Sequence, residues 1–283
     1  MRLPVGRKTK FFKRLDRVLE QVEHLLGVPS GHTDWDCIAY RWHEGQLQGV
    51  THPQYSDLDD LLGMERQKSE VLRNTANFVR GRTANNVLLW GARGTGKSSL
   101  VKAVFHAYAD QGLRLIEIET AALQRLPELV SLLRGRQERF LLYCDDLSFE
   151  ADDASYKTLK ALLEGSIVAP PDNVLVYATS NRRHLIPEFQ YENQETRYVG
   201  EEVHPGESVE EKVSLSERFG LWLSFYPFSQ AEYLEICAHW ITRLGGHPAQ
   251  PDFEQPAIQW AAQRGSRSGR VARQFAIDWL GRR

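Results

Sequence analysis

Eight consecutive residues of this 283-residue sequence can do chemistry as a unit: Gly91-Ala92-Arg93-Gly94-Thr95-Gly96-Lys97-Ser98. Their spacing is G-x-x-x-x-G-K-[ST], set between an apolar run and a helical pattern. Each residue type has a physical reason. Glycines let the backbone curl until successive N–H groups face inward, toward phosphate oxygens. The following helix adds its unpaired first-turn N–H groups and the positive end of its dipole, with Ser99 continuing the loop into that turn. A lysine at position 97 reaches the outer phosphates of a nucleoside triphosphate as a mobile charge, and a hydroxyl at 98 is a magnesium ligand. Two further polar clusters end apolar runs downstream. Phe140–Cys144 delivers Asp145 and Asp146, and Val174–Ala178 delivers Thr-Ser-Asn181 and two arginines. A carboxylate at a neighbouring strand end can hold the metal shell, a role that suits Asp145. Asp146 then polarises an attacking water, or orients a residue that does. Asn181 brings an amide within reach of the terminal phosphate and its water. The loop alone is compatible with a kinase, a GTPase or an ATPase.

Positioning these groups requires strands that alternate with helices. Asn86–Trp90, Leu113–Glu119, Phe140–Cys144 and Val174–Ala178 read as strands, from apolar runs or strict alternation. Asp57–Gly81 reads as a short lead-in and a helix, and Lys97–Gln111, Ala121–Arg134 and Ser155–Gly165 as helices. This order predicts an α/β fold, a parallel sheet covered by helices on both faces. After Phe228 only helices are expected, over about 230–244, 252–264 and 268–281, punctuated by Gly245, Gly246 and Gly265. The stretch 32–50 is less regular; its His32, Asp34, Asp36, Cys37 and His43 match no metal-ligand spacing. Residues 2–17 hold seven basic side chains against Asp16, and Phe11–Leu26 has helical apolar spacing. That segment is either a helix docked on its own protein or a surface for an acidic partner.

Composition sets outer limits. Charged residues at 25% and hydrophobic ones at 42% fit a globular chain with a real core. A net charge of −2 argues against a protein dominated by nucleic-acid binding while permitting a local basic patch. No apolar run approaches the roughly 20 residues that span a bilayer, and the basic N-terminus lacks the apolar stretch of a secretory signal. Cys37, Cys144 and Cys237 are widely separated and odd in number, which suits free thiols in a cytoplasmic setting.

The loop, the Asp-Asp strand and the Ala-Thr-Ser-Asn-Arg strand end, in this order, resemble the AAA+ ATPases. Further segments extend the likeness over about 56–283. Ser214-Leu-Ser-Glu-Arg218-Phe-Gly resembles the stretch that carries the arginine finger. Gly269-Arg270-Val-Ala-Arg273 resembles the lid helix with its sensor arginine, and Asp57-Leu-Asp-Asp-Leu-Leu62-Gly63 the lead-in whose backbone borders the adenine. The wording of NNVLLWGARGTGKSSLVKA, CDDLSFE, ATSNRRHL and LSERFGLWLSFYPFSQAEYL is similar to bacterial ATP-binding proteins classed as a domain of unknown function. The Asp-Asp pair is also similar to the replication-initiator and helicase-loader branch, which lacks the usual glutamate.

The resemblance implies a P-loop NTPase with a basic extension at 1–55, a nucleotide-binding αβ core at 56–228 and a small all-helical lid at 229–283. ATP and Mg²⁺ are then the cofactors, bound by Gly91–Ser99, Leu62, Gly63 and Arg270, with Ser98 and Asp145 on the metal. Asp146, Asn181 and Arg218 act in catalysis, Arg218 on a neighbouring subunit of a homo-oligomer. Hydrolysis at subunit interfaces would remodel, load or release a protein or nucleic-acid partner. The alternatives are a slow ATP-dependent switch, or a small-molecule kinase, which the added strand-end motifs and the lid arginine oppose. Aspartate where most such motors carry glutamate is one methylene shorter, and placement errors near 1 Å can cost about 10²-fold in rate. Glu150 could swing in instead. The segment 190–212, with Pro205 and Gly206, is too long for a tight connection and is expected to protrude as a loop or hairpin.

Overall fold

The computed structural model describes residues 33–149, 154–164, 171–182, 185, 197–199, 202–204, 215–247 and 253–282. The described chain opens with a hairpin of β1 (Ala39–His43) and β2 (Gln46–Gly49), turned at Glu44 and Gly45, both with positive φ. A 3₁₀ turn (Leu58–Asp60) and α1 (Glu65–Val79) lead to β3 (Val87–Gly91) and α2 (Lys97–Tyr108). Then follow β4 (Leu113–Ile118), α3 (Leu126–Leu133), β5 (Arg139–Cys144), α4 (Ala154–Glu164) and β6 (Val174–Ser180). A small antiparallel pair, β7 (Arg197–Val199) and β8 (Glu202–His204), precedes β9 (Leu221–Phe225). The chain closes with α5 (Gln230–Arg243), α6 (Glu254–Arg264) and α7 (Gly269–Gly281).

Seven strands form one sheet in the order β2-β1-β4-β5-β6-β3-β9, parallel throughout except for β2. Side chains alternate across it with period two. On β5, Leu141 and Tyr143 join the core layer that holds α1 and α2, while Phe140, Leu142 and Cys144 join the layer under α3 and α4. The three C-terminal helices add Tyr233, Ile236, Val271 and Phe275 to the first layer, so they share one apolar cluster with the sheet and α1 and α2. The expected α/β class with helices on both faces is the fold observed.

Three elements differ from the sequence reading. The irregular stretch near 32–50 forms β1 and β2, and β1 extends the parallel sheet beside β4. Its register puts Ala39, Tyr40 and Trp42 in the core, a pattern too short to reveal a strand by periodicity. β9 pairs with β3 and is absent from the sequence reading: Leu-Trp-Leu-Ser-Phe, between Gly220 and Pro227, is only five residues long and lies next to the segment read for Arg218. The helix expected at 121–134 begins as a 3₁₀ turn (Thr120–Arg125) and becomes α-helical only at Leu126. Pro127 lies in that first α turn, where its missing N–H costs nothing.

The segment 11–26, His32, Glu150 and most of 190–212 lie outside the described residues; within 190–212 the β7–β8 pair is described. Among the described residues, no cluster of three or more His, Cys, Asp or Glu side chains could hold a metal ion. No helix among them is long and apolar enough to cross a membrane.

Candidate nucleotide-binding cleft

The loop after β3 curls because its glycines adopt backbone angles that other residues resist. Gly91, Gly94 and Gly96 have φ of 131°, 75° and 96°. At Gly91 there is also no room: a Cβ would lie 2.0 Å from the Phe225 carbonyl oxygen of β9. That same carbonyl accepts a hydrogen bond from Ala92 N (2.9 Å), which ties the loop's base to the neighbouring strand. Thr95 Oγ1 donates to Ala92 O (2.8 Å) and closes the curl.

Lys97 begins α2 and is buried. Its ammonium donates to the carbonyls of Gly91 (2.8 Å) and Ala92 (2.7 Å) and to Asn181 Oδ1 (3.1 Å). Burial lowers the Lys97 pKa; the carboxylates of Asp146 and Asp145 pull it back up, and Arg93 opposes them. Asn181 in turn donates from Nδ2 to Asp146. Lys97, Asn181 and Asp146 therefore form one hydrogen-bonded chain across the ends of three elements.

Asp145 lies at the carboxyl end of β5, one strand from β6 and two from β3. Its Oδ1 accepts from Ser98 Oγ (2.7 Å) and from Thr179 Oγ1 (2.6 Å). The carboxyl opens on the cleft, yet the protein around it removes enough water to raise its pKa. The neighbouring hydroxyls of Thr179, Tyr143 and Ser98 and the charge of Lys102 outweigh that, so it sits below the usual carboxylate range. Thr179 Oγ1 also accepts from Asp146 N (2.9 Å), where the backbone takes a positive φ of 51°. One threonine thus fixes both acids. It was not singled out from sequence, although it lies two residues before Asn181 and so on the same strand face.

These groups line one end of a cleft of about 730 Å³, a size typical of small-ligand sites. Arg93 to Ser99, Asp145, Asp146, Thr179 and Asn181 face it. Asp60, Leu61, Leu62, Phe228, Ile236 and Trp240 give it a largely apolar wall, which Leu61 joins to the loop at Gly96. Gly91 and Ala92 lie beneath the loop, and Gly63 lies under Phe228. The last helix, α7, lines the remaining side. Ser268 caps α7 through Val271 N (3.3 Å), and Gly269 N donates to Gly94 O (3.1 Å). Arg270 and Arg273 of α7 face the cleft. Arg218 does not. It follows the short turn after Leu215 and pairs through Nε and Nη2 with Glu164 of α4.

The donor set suits a polyphosphate: the loop's backbone N–H groups and Lys97 lie together, and Arg270 of α7 lines the same cleft. Ser98 and an ionised Asp145 offer hard oxygen donors side by side, the ligand chemistry of magnesium. Both observations rest on geometry that the chain makes by itself.

Comparison with known proteins agrees on architecture. Residues 35–283 match the family described as "Protein of unknown function (DUF815)". No curated protein matches the chain. Among solved structures, the FIGL-1 AAA domain in complex with ADP aligns at 18% identity and a TM-score of 0.52, over 81% of this chain and 73% of that one. A variant of Thermotoga maritima RuvB aligns at 18% identity and a TM-score of 0.50, over 80% of this chain and 65% of that one. The T. maritima RuvB titled a Holliday junction branch migration motor aligns at 20% identity and a TM-score of 0.48, over 78% of this chain. The chain spans 63% of that protein's length. At these identities the likeness is one of fold, and the fold is that of the AAA+ P-loop NTPases.

Proposed function

Because the chain belongs to the DUF815 family, whose description carries no activity, we propose from the cleft itself that the protein is an ATP-binding, magnesium-dependent AAA+ ATPase. The observation that carries this reading is the meeting of Ser98, Asp145 and Thr179 at 2.6–2.7 Å, beside the Lys97–Asn181–Asp146 chain. Lys97 opposes the charge of the outer phosphates, helped by the N–H groups of Gly94 to Ser99 and by Arg270 from the lid. Ser98 and Asp145 hold Mg²⁺, which when bound neutralises charge on the phosphate oxygens. Asp146 accepts the proton of the attacking water, and Asn181 orients both that acid and Lys97. Leu62 and the backbone near Gly63 border the base.

Arg218 acts on a neighbouring subunit of a homo-oligomer, and lid movement on turnover remodels, loads or releases a macromolecular partner. Support for the trans role is the position of Arg218 away from its own cleft, and fingers of this kind contribute about 10³–10⁵ in rate. Mixing tests it. Arg218→Ala and Lys97→Ala subunits are inactive alone and regain part of the activity together; normal hydrolysis by Arg218→Ala rules the finger out.

A second reading is a slow ATP-dependent switch. It is favoured by the tight engagement of Asp146, whose side chain is held by Asn181 and whose N–H is held by Thr179. Turnover measured alone and then with captured partners separates motor from switch. The nucleotide assignment is tested by Lys97→Ala, which should keep a native circular dichroism spectrum and lose binding of a fluorescent ATP analogue. Tight ATP binding with normal hydrolysis by that variant would reject the site.

A further inference from the structure

The apolar end of the cleft is walled from two sides by segments far apart in sequence, and a set of ion pairs joins them. Asp57 and Asp60 are three residues apart at the 3₁₀ turn, where three residues make one revolution, so their carboxylates lie on the same side. His239 and Arg243 are four apart on α5 and share a helical face. The two pairs meet. His239 Nε2 lies 3.0 Å from Asp60 Oδ1, Arg243 Nε 3.2 Å from the same oxygen, and Arg243 Nη2 3.1 Å from Asp57 Oδ2. The stripe of α5 beside this face carries Ile236 and Trp240, which line the cleft, and Asp60 lines it too, next to Leu61 and Leu62. His239 further packs edge-on against the Trp240 ring, and Arg273 of α7 lies 5.1 Å above that ring.

We propose that Asp57, Asp60, His239 and Arg243 form a clamp that sets the position of the first lid helix against the lead-in. They are positioning residues for the base-side wall and take no part in phosphate chemistry. This rests on the nucleotide reading of the cleft above. Two lone surface pairs would contribute little, but here the Asp60 side chain is only 17% exposed and meets both the Arg243 guanidinium and the His239 ring. The clamp is also the only ionic link between the 3₁₀ turn and α5 among the described residues, so its release leaves apolar contact alone to set how the two meet.

The test compares three ligands by titration calorimetry: ATP, ADP and inorganic tripolyphosphate, which has no base. Arg243→Ala and Asp57→Asn are the variants; asparagine keeps the cap that Asp57 gives to Asp59 N, so that change removes charge alone. Expected are ATP and ADP affinities that fall together by about three- to fivefold for Arg243→Ala, the span a partly exposed ion pair carries. Tripolyphosphate affinity stays at the wild-type value, Arg243→Lys recovers part of the loss, and the double variant is no weaker than Arg243→Ala. Unchanged nucleotide affinities overturn the clamp, as does tripolyphosphate weakening in step, or single losses that multiply in the double variant. Wild-type protein that binds none of the three ligands removes the nucleotide reading itself, which is a different failure.

Discussion

At the phosphate end of the cleft, Lys97 and Ser98 from the start of α2 meet Asp145, Asp146, Thr179 and Asn181 from the carboxyl ends of β5 and β6, joined by hydrogen bonds of 2.6–3.1 Å. At the base end, the wall is built from a turn near residue 60 and a helix near residue 240, joined by partly exposed ion pairs and apolar contact. The first arrangement is held by a sheet whose strands lie in the core, so its geometry is stiff. The second depends on how α5 packs on the turn, through partly exposed polar contacts and a shared apolar cluster. On the proposed reading, the stiff part would hold the phosphates and the other would set how α5 meets the base.

The largest expected effect breaks the phosphate end without disturbing the base end. Asp146→Asn should bind ATP near the wild-type level and lose about 10²–10⁴ in turnover, the usual worth of a positioned acid or base. Steady-state hydrolysis beside equilibrium binding checks it, and a Glu150→Gln variant that stops turnover while Asp146→Asn does not would move the catalytic role to Glu150. Lys97→Ala should lower affinity by roughly 10²-fold, the loss of a charge-assisted contact. In contrast with the clamp variants, it should do so for tripolyphosphate as well as ATP. Equal tripolyphosphate binding by Lys97→Ala and wild type would erase the distinction between the two ends.

A smaller effect tests where the ends touch. Gly94 has φ of 75°, and a Cβ there would lie 2.8 Å from Ser268 Oγ at the start of α7. Gly94→Ala should therefore cost about 1–2 kcal/mol from the backbone alone and loosen the lid, seen as a lower melting temperature and faster amide exchange in α7. Exchange that is faster only in the loop would show that the lid does not lean on it.

The smallest effect is that of Thr179→Val. Removing a hydroxyl that donates to Asp145 should raise the Asp145 pKa toward the ordinary carboxylate value. The sign follows from linkage. A carboxylate whose folded pKa is depressed contributes stability above its unfolded pKa and loses it as pH falls through the folded pKa. The variant should lose that contribution at higher pH than wild type, with a cost near 1 kcal/mol at neutral pH. Acid unfolding curves that superimpose would mean that Thr179 does not hold the acid.

The eight-residue loop, its flanking strand and helix, and the polar clusters after two later strands were legible in the sequence because local rules set them. Glycines where φ is positive, an apolar run before and a helical period after leave few conformations open. The Phe140–Cys144 and Val174–Ala178 runs were equally legible, since strands buried on both faces read as continuous apolar stretches. What neighbours what was decided in three dimensions. Strand order puts β6 between β3 and β5, and only that order lets Thr179 reach Asp145 and Asn181 reach Lys97. The outer strands β1 and β9 are short and take their identity from pairing with β4 and β3, β1 being covered in turn by β2, so no periodicity could announce them. Arg218 carries no local sign of its Glu164 partner, and Asp60 none of a histidine 179 residues away. Local stereochemistry specifies a loop, but a contact between distant segments is a property of the packed sheet and lid that bring them together.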